Sequence, residues 1–277
     1  MYPATGINKY VTRYLRSLNP ERGRIVLDIP CGDGRASAVL RDAGMNVLAY
    51  DLFPDAFQVE GLQCRYADMT QPLPLGDEAV DIVVCQEGIE HVPNQLAVLE
   101  EFNRVLKPGG TLILTTPNGS HVRARVSRML VGNDLIKYLP PSEVDGIWSA
   151  DPGGKIYLGH LFLLEVNRLW VLSRLAGFDI AQIRTTAVSP SSVILGVFLA
   201  PLIMLCMLWA YLGSSKKHNP HRNEALQKLL WRQVRLNLSP RTLFCKHIFW
   251  ILTKRDSPAN CRKHLLRESS RRREGHE

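Results

Sequence analysis

Residues 24–51, RIVLDIPCGDGRASAVLRDAGMNVLAYD, constrain the fold of this chain more than any other stretch. Arg24–Ile29 is rich in β-branched and aliphatic residues, as a strand buried on both faces must be. Cys31–Gly34 is a glycine turn in which the main chain can approach a ligand without Cβ interference. Arg35–Ala43 reads as a helix that carries Val39 and Leu40 toward a sheet and stops at Gly44, a left-handed cap. Asn46–Tyr50 is a second strand, closed by Asp51. Strand, glycine turn, helix and strand make a mononucleotide-binding βαβ unit, which predicts an α/β fold on a parallel sheet.

The dinucleotide fingerprint G-x-G-x-x-G seats a pyrophosphate on the helix N-terminus. Here Ser37 replaces the third glycine, and acids flank the turn at Asp28 and Asp33. Such a pair repels a pyrophosphate and attracts a ligand carrying an ammonium and a sulfonium. The pattern D-x-x-x-G-x-G, with an acid closing the second strand, resembles motif I of the class I S-adenosylmethionine (SAM) methyltransferases. The resemblance implies SAM as cofactor. Cys31, Gly32, Asp33 and Gly34 would then pass under its methionine part, Asp28 would support that part, and Asp51, followed by Leu52, would bond the ribose hydroxyls. A generic Rossmann turn serving a nicotinamide dehydrogenase is the competing reading.

Further segments match in order. Gln63–Ala67 reads as a third strand ending at Asp68-Met69, which the resemblance places at the adenine amine and ring. The run DMTQPLPLGDEAVDIVVCQEGIEHV holds a fourth strand, Asp81–Cys85, followed by Gln86 in the cofactor set. Pro93–Leu106 is an amphipathic helix ended by Lys107-Pro108-Gly109-Gly110, and LKPGGTLILTTPN resembles the fifth-strand signature. A helix around Leu164–Leu175, capped by Gly177, leads to strand six at Phe178–Thr186; Leu243–Lys254 is similar to strand seven. The implied architecture is a Rossmann-like seven-stranded SAM-methyltransferase sheet, order 3-2-1-4-5-7-6, with strand seven antiparallel. Residues 1–186 and 243–254 would form this domain, 187–242 an insertion and 255–277 a basic, flexible tail. Before the first strand, residues 7–18 form an amphipathic helix whose Tyr10 is placed as a pocket lid or in ordinary packing.

Charge is uneven. Residues 1–213 carry 18 Lys and Arg against 21 Asp and Glu, whereas residues 214–277 carry 16 against 5, a local net of +11. Such a segment suits anionic lipid head groups or a polyanion, and its last dozen residues also read as a solvated tail. Val193–Leu212 is a 20-residue run without a charge, long enough to span a bilayer but interrupted by Pro201, which is expected to kink or break it. Strand seven follows this run, so a single crossing would divide one sheet between two sides of a membrane. The run is therefore expected to re-enter or lie in plane, paired with the basic amphipathic arm Glu224–Leu238 and its Trp231. A buried helix and a true span with strand seven misassigned are the other readings. The N-terminal MYPATGINKY lacks the apolar core of a signal peptide, and the six scattered cysteines read as core residues of a reducing cytosol. Cys245, His247, Cys261 and His264 do not match the common zinc spacings. The expected location is the cytoplasmic face of the inner or plasma membrane.

The chemistry is expected past strand four, at Glu87-x-x-Glu90-His91. On one helical turn these three converge on one face and can hold a divalent cation, Mg or Zn, while His91 alone can act as catalytic base. An E-x-x-E-H here is similar to the ubiquinone-pathway O-methyltransferases and the small-RNA 2′-O-methyltransferases, and the resemblance adds His160 as a later ligand. Arg123, Arg125 and Arg128, before a loop with Pro140, Pro141, Trp148, Pro152, Gly153 and Gly154, are read as a solvated face or a phosphate contact. The expected activity is O-methylation of a membrane-associated acceptor. A lipid-linked saccharide or envelope glycan precursor ranks first, a quinol second and RNA third. A non-catalytic SAM-binding subunit is the reading from another class.

Overall fold

A computed structural model describes residues 6–18, 23–134, 142, 144, 146–150, 156–218 and 224–274. Seven strands form one sheet: β1 (Ile25–Asp28), β2 (Asn46–Asp51), β3 (Cys64–Tyr66), β4 (Val80–Gln86), β5 (Leu106–Pro117), β8 (Phe178–Ile183) and β9 (His247–Lys254). Their order is β3-β2-β1-β4-β5-β9-β8, with β9 antiparallel to both neighbours and the pairs from β3 to β5 parallel. Counted within this sheet, β8 and β9 are the expected strands six and seven. The period-2 alternation of a pleated strand divides the apolar residues between the faces. Leu27, Val83, Cys85, Leu112, Leu114 and Trp250 pack under α3 (Gln95–Val105) and α5 (Val166–Leu175). Val26, Ile82, Val84, Ile113 and Phe249 pack under α1 (Gly6–Ser17) and α2 (Arg35–Asp42).

Three features differ from expectation. First, Ile147–Ala150 (β6) and Ile156–Leu158 (β7) pair as a small antiparallel sheet where a loop was expected. Pro140, Pro141, Pro152, Gly153 and Gly154 lie outside the described residues. Second, β5 takes in Lys107–Gly110, because the chain after α3 turns directly into the sheet and Leu106 pairs with Val80. Third, Pro258–Glu274 of the expected tail is a helix, α9, tied back to α3 by the Arg262–Glu100 ion pair.

The insertion is helical. α6 (Pro190–His218) runs 29 residues without interruption at Pro201, and α7 (Glu224–Leu238) and α8 (Pro240–Phe244) return the chain to β9. At 1.5 Å per residue α6 is about 43 Å long. Because β9 hydrogen-bonds to β8, which precedes α6, and to β5, α6 cannot carry the chain across a bilayer. It is not buried either, since only 6% of its most apolar window is covered.

The two feet of the insertion are clasped together. Lys246 donates its N–H to Ala187 at 2.8 Å and Ser189 donates to Phe244 at 2.8 Å. Buried Asn118, just past β5, donates its side-chain amide to the carbonyls of Thr242 (2.9 Å) and Cys245 (2.8 Å). Asn118→Ala leaves both carbonyls short of a buried donor. We expect a loss on the order of 2 kcal/mol in urea unfolding, with faster amide exchange at residues 187–189 and 244–246.

Candidate functional site

The carboxyl end of the sheet gathers the expected residues. β1 ends at Asp28, which is 1% exposed, and the glycine turn follows. The hydroxyl of Ser37, itself fully buried, donates to Asp28 Oδ2 at 2.6 Å. The residue that breaks the dinucleotide fingerprint thus holds the acid. Asp28 Oδ1 has no hydrogen-bond partner among the described residues. Burial pushes this carboxyl up to about 7, opposed by Ser37 and reinforced by the charges of Asp51 and Asp33.

Gly32 and Gly34 both have left-handed φ, 51° and 85°. A Cβ on Gly34 would lie 2.4 Å from Val59 Cγ2 and 2.5 Å from Phe57 Cε2, so that residue must be glycine on two counts. A Cβ on Gly32 would meet only open space, which leaves backbone conformation as its constraint. Gly32 donates its N–H to Asp51 Oδ2 at 2.8 Å and Phe53 donates to Oδ1 at 2.9 Å, fixing the Asp51 carboxylate across the turn. Each oxygen keeps a second lone pair for a hydroxyl donor. Leu52 follows on the same segment. Asp68 Oδ1 accepts from the Thr70 amide (2.8 Å) and hydroxyl (2.7 Å), next to half-buried Met69. Cys31 Sγ lies 3.2 Å from Cys64 Sγ, and burial pushes the Cys31 thiol up.

Two further details of this half concern Asp33 and Tyr10. Asp33 is paired with Arg35, whose Nε lies 2.6 Å from its Oδ2, while its charge still adds to the raised Asp28 pKa. The acid that faces no cation is Asp28. Of the two roles expected for Tyr10, ordinary packing against the α1–α2 cluster is the one observed, and Asn8 of α1 accepts through its side-chain oxygen from Gln86 Nε2 at the end of β4.

Beyond β4 the E-x-x-E-H residues do not share one helical turn. Glu87 has φ 50°, and only Ile89–His91 form a short 3-10 turn. Glu87 is thereby aimed at His247, the first residue of β9, with Oε2 3.5 Å from Nε2. Glu90, His91 and His160 do converge: one ligand atom from each lies within 4.8 Å of the others. Glu90 is fully buried; its Oε2 accepts from the Thr116 hydroxyl at 3.0 Å, and Oε1 has no partner. His91 Nδ1 lies 2.9 Å from the Leu158 carbonyl, an acceptor only, so Nδ1 donates and Nε2 keeps its lone pair. The His91 and His160 ring centroids are 4.8 Å apart. Burial lowers the His160 pKa, and the charge of His91 lowers it further. Burial raises both Glu87 and Glu90, and the charge of Glu90 raises Glu87 further.

The residues fit a divalent cation at Glu90, His91 and His160, where an orphaned buried carboxylate oxygen meets two imidazoles. Glu87 stands outside that set. Residues not anticipated from sequence complete the site. Gln95 Nε2 donates to Ile89 O (3.2 Å) and Phe162 O (2.6 Å), stapling the segment that carries His160 to the turn that carries His91. Thr116 and His247 sit on strands that were assigned, but only pairing register brings them here. Of the three arginines of α4 (Val122–Val131), Arg128 is tied to Asp134 at 2.7 Å, to Glu165 and to Gly119 O. Its guanidinium is already paired, and Arg125 leans on Asn237 at 3.5 Å.

The raised Asp28 pKa sets a pH dependence. A carboxyl held at about 7 in the fold, against 3.8 ordinarily, favours the folded state fully below pH 3.8 and loses that contribution as pH rises through 7. Asp28→Asn is therefore expected to stabilise the protein by on the order of 1–3 kcal/mol at about pH 8 and by much less at about pH 4. It should also weaken SAM binding at least about tenfold. Unfolding at both pH values and calorimetry check the two halves.

Comparison with known proteins agrees with this geometry. A family model described as a methyltransferase domain matches residues 27–114. The ubiquinone biosynthesis O-methyltransferase of Methylococcus capsulatus is 28% identical over 167 residues, which cover 53% of this chain and 70% of that protein. The enzyme of the same name from Xylella fastidiosa is 32% identical over 153 residues, 50% of this chain and 59% of its own length. Among solved structures, a SAM-dependent methyltransferase from Methanosarcina mazei aligns over 86% of this chain and 95% of its own, at 18% identity and TM-score 0.50. The YcgJ protein of Bacillus subtilis aligns over 90% and 100%, at 14% identity and TM-score 0.50; both likenesses concern the fold alone. The acid-flanked turn, the sheet order and these matches together give residues 27–114 a methyltransferase domain within a Rossmann-like SAM-methyltransferase fold.

Proposed function

We propose that this protein transfers a methyl group from SAM to a hydroxyl of a quinol or catechol-type acceptor, with His91 as the base. The observation that carries the reading is the Nδ1–Leu158 hydrogen bond, which commits the lone pair of His91 to Nε2 beside Glu90 and His160. Asp28, with its unpartnered oxygen, would take the ammonium of SAM, while Gly32 and Gly34 pass beneath its methionine part together with Cys31 and Asp33. Asp51 and Leu52 would meet the ribose, and Asp68, Met69 and Gln86 would frame the adenine side. Bound there, SAM supplies an electrophilic methyl on a positively charged sulfur.

His91 Nε2 takes the acceptor's hydroxyl proton as the oxygen–methyl bond forms and the methyl–sulfur bond breaks. General-base assistance of this kind contributes about 10²–10⁴-fold. His160 closes one side of the pocket, and Gln95 holds the two histidines in register. A divalent cation held by Glu90, His91 and His160 would supply Lewis acidity toward the acceptor oxygen in place of the base role of His91, whose single Nε2 lone pair serves either the cation or the proton.

The order of acceptors expected from sequence is reversed here. The relatives cited above bear the name ubiquinone biosynthesis O-methyltransferase, whereas none of the comparisons supports a saccharide. The chain spans 59–70% of those relatives' lengths, and their substrates are theirs. The test is release of S-adenosylhomocysteine together with methylated product from a panel of catechols, quinols, sugars and RNA. We expect catechol or quinol product, a fall of about 10²–10⁴-fold in kcat for His91→Ala, and unchanged SAM affinity in calorimetry. Product from every acceptor at the wild-type rate in His91→Ala, or no product at all, overturns the proposal. Where the cation takes part, a chelator lowers the rate and added Mg or Zn restores it.

A further inference from the structure

α6 presents an apolar surface that nothing within the described residues covers. Ile194, Val197, Phe198, Leu202, Leu205 and Trp209 are between 58% and 77% exposed. A contiguous array of this kind marks an interaction surface. We propose that this flank of α6 lies in the plane of an anionic lipid bilayer, half-immersed, and turns the carboxyl edge of the sheet toward the lipid.

Anchoring at both ends dictates the in-plane geometry. At the start of α6, Ser192 Oγ lies 3.0 Å from His121 Nδ1, and a Cβ on Gly196 would be 2.5 Å from Phe244 Cε1. Near its end, Tyr211 stacks on Trp231 of α7 at 4.7 Å. α7 is in turn fastened to α5 by the reciprocal amides of Asn237 and Asn167 (3.0 and 2.9 Å), and by Arg232 over the Trp170 ring at 4.1 Å. A helix held to one polar domain at both ends immerses a flank and does not cross. Such helices sink about 5–10 Å into the boundary between head groups and acyl chains.

Charge selects the occupant. No acidic residue occurs between Asp179 and Glu224, and Lys216 and Lys217 follow the apolar run. Lys228, Arg235, Arg241 and Lys246 are exposed on α7, on α8 and at the foot of β9. A second copy of the chain would bring two such basic segments together; anionic head groups neutralise them.

Orientation follows from topology. α6 leaves from the same sheet end as Gln86 and Pro117, and the chain returns at His247, which pairs with Pro117. From Ser192 a short path runs through His121 to Ser120 Oγ, which accepts from Val166 N at 3.0 Å, and to Gly119, which donates to Leu164 O at 3.1 Å. That places the segment after His160 beside the root of α6. An amphipathic acceptor dissolved in the bilayer would reach His91 without crossing bulk water. The docking itself does not depend on which acceptor is methylated.

The test is co-sedimentation of the full chain with vesicles of phosphatidylcholine alone and of phosphatidylcholine mixed with phosphatidylglycerol. We expect binding to the mixed vesicles, weakened by salt, and a loss of roughly a hundredfold in partitioning for Phe198→Glu combined with Leu205→Glu. Melting temperature and SAM affinity of that variant should match the parent, because neither side chain enters the core. Vesicle binding should slow amide exchange in α6 and residues 156–162 and leave the turn at residues 75–79 unchanged. Protein left in the supernatant with both vesicles overturns the proposal, as does a stable dimer that the double substitution dissociates. Equal binding to neutral vesicles overturns the anionic assignment, and protection at residues 75–79 overturns the orientation.

Discussion

The antiparallel seat of β9 between β5 and β8 is the constraint on which the rest of this molecule depends. A parallel sheet leaves its carboxyl edge open for ligands. Inserting one reversed strand makes the chain enter that strand from the same edge. Everything between β8 and β9 must therefore begin and end beside the site, however long it grows. The 29-residue α6 and its return through α7 and α8 are consequently appendages of the active edge. Asn118 enforces this, because its one side chain grips the returning foot just where β5 delivers Thr115 and Thr116 to the acidic residues.

Within that edge the design is electrostatic and costly to the empty protein. Asp28, Glu87 and Glu90 are carboxyls in low-dielectric surroundings, each with an oxygen that lacks a protein partner. Burial raises all three pKa values. An isolated buried charge is expelled or neutralised, so such groups persist where a ligand completes them. Asp28 suits an ammonium, and Glu90 with two imidazoles suits a cation. Glu87 is held differently, facing a histidine whose own pKa burial lowers. Its left-handed backbone is the local strain that separates it from Glu90.

How much of this the sequence discloses follows physical lines. The sheet order, the glycine turn and the helices α1, α2, α3 and α5 were legible because each rests on periodicity or on a turn that few residues permit. One ion pair was not legible: Asp33 and Arg35 are neighbours whose pairing depends on the turn's shape. The hairpin of β6 and β7 was missed because IWSA and IYL are short and carry no clear alternation. Pro201 misled for a different reason. Proline removes one N–H bond, the freed carbonyl is that of Val197, and Val197 is 69% exposed, while contacts on both flanks keep the helix going. E-x-x-E-H was half legible. Its spacing implied a helical turn, but a single left-handed residue at Glu87 redirects the first acid.

The same redirection gives the site its division of labour. Had Glu87 joined Glu90, two carboxylates would have crowded one cavity with both histidines; even where it stands, the charge of Glu90 adds to burial in raising Glu87. With Glu87 turned to the foot of β9, the acid nearest His91 is Glu90 alone, steadied by Thr116. His91 is fixed by a carbonyl of β7, and His160 follows two residues later in the chain. The small sheet that sequence periodicity does not reveal is thus what sets the tautomer of His91. Gln95, buried in the first turn of α3, locks that sheet's exit to the 3-10 turn by two carbonyls. The placement of His91 and of the segment carrying His160 depends on a second layer of hydrogen bonds from α3 and β7, reached across more than sixty residues of chain.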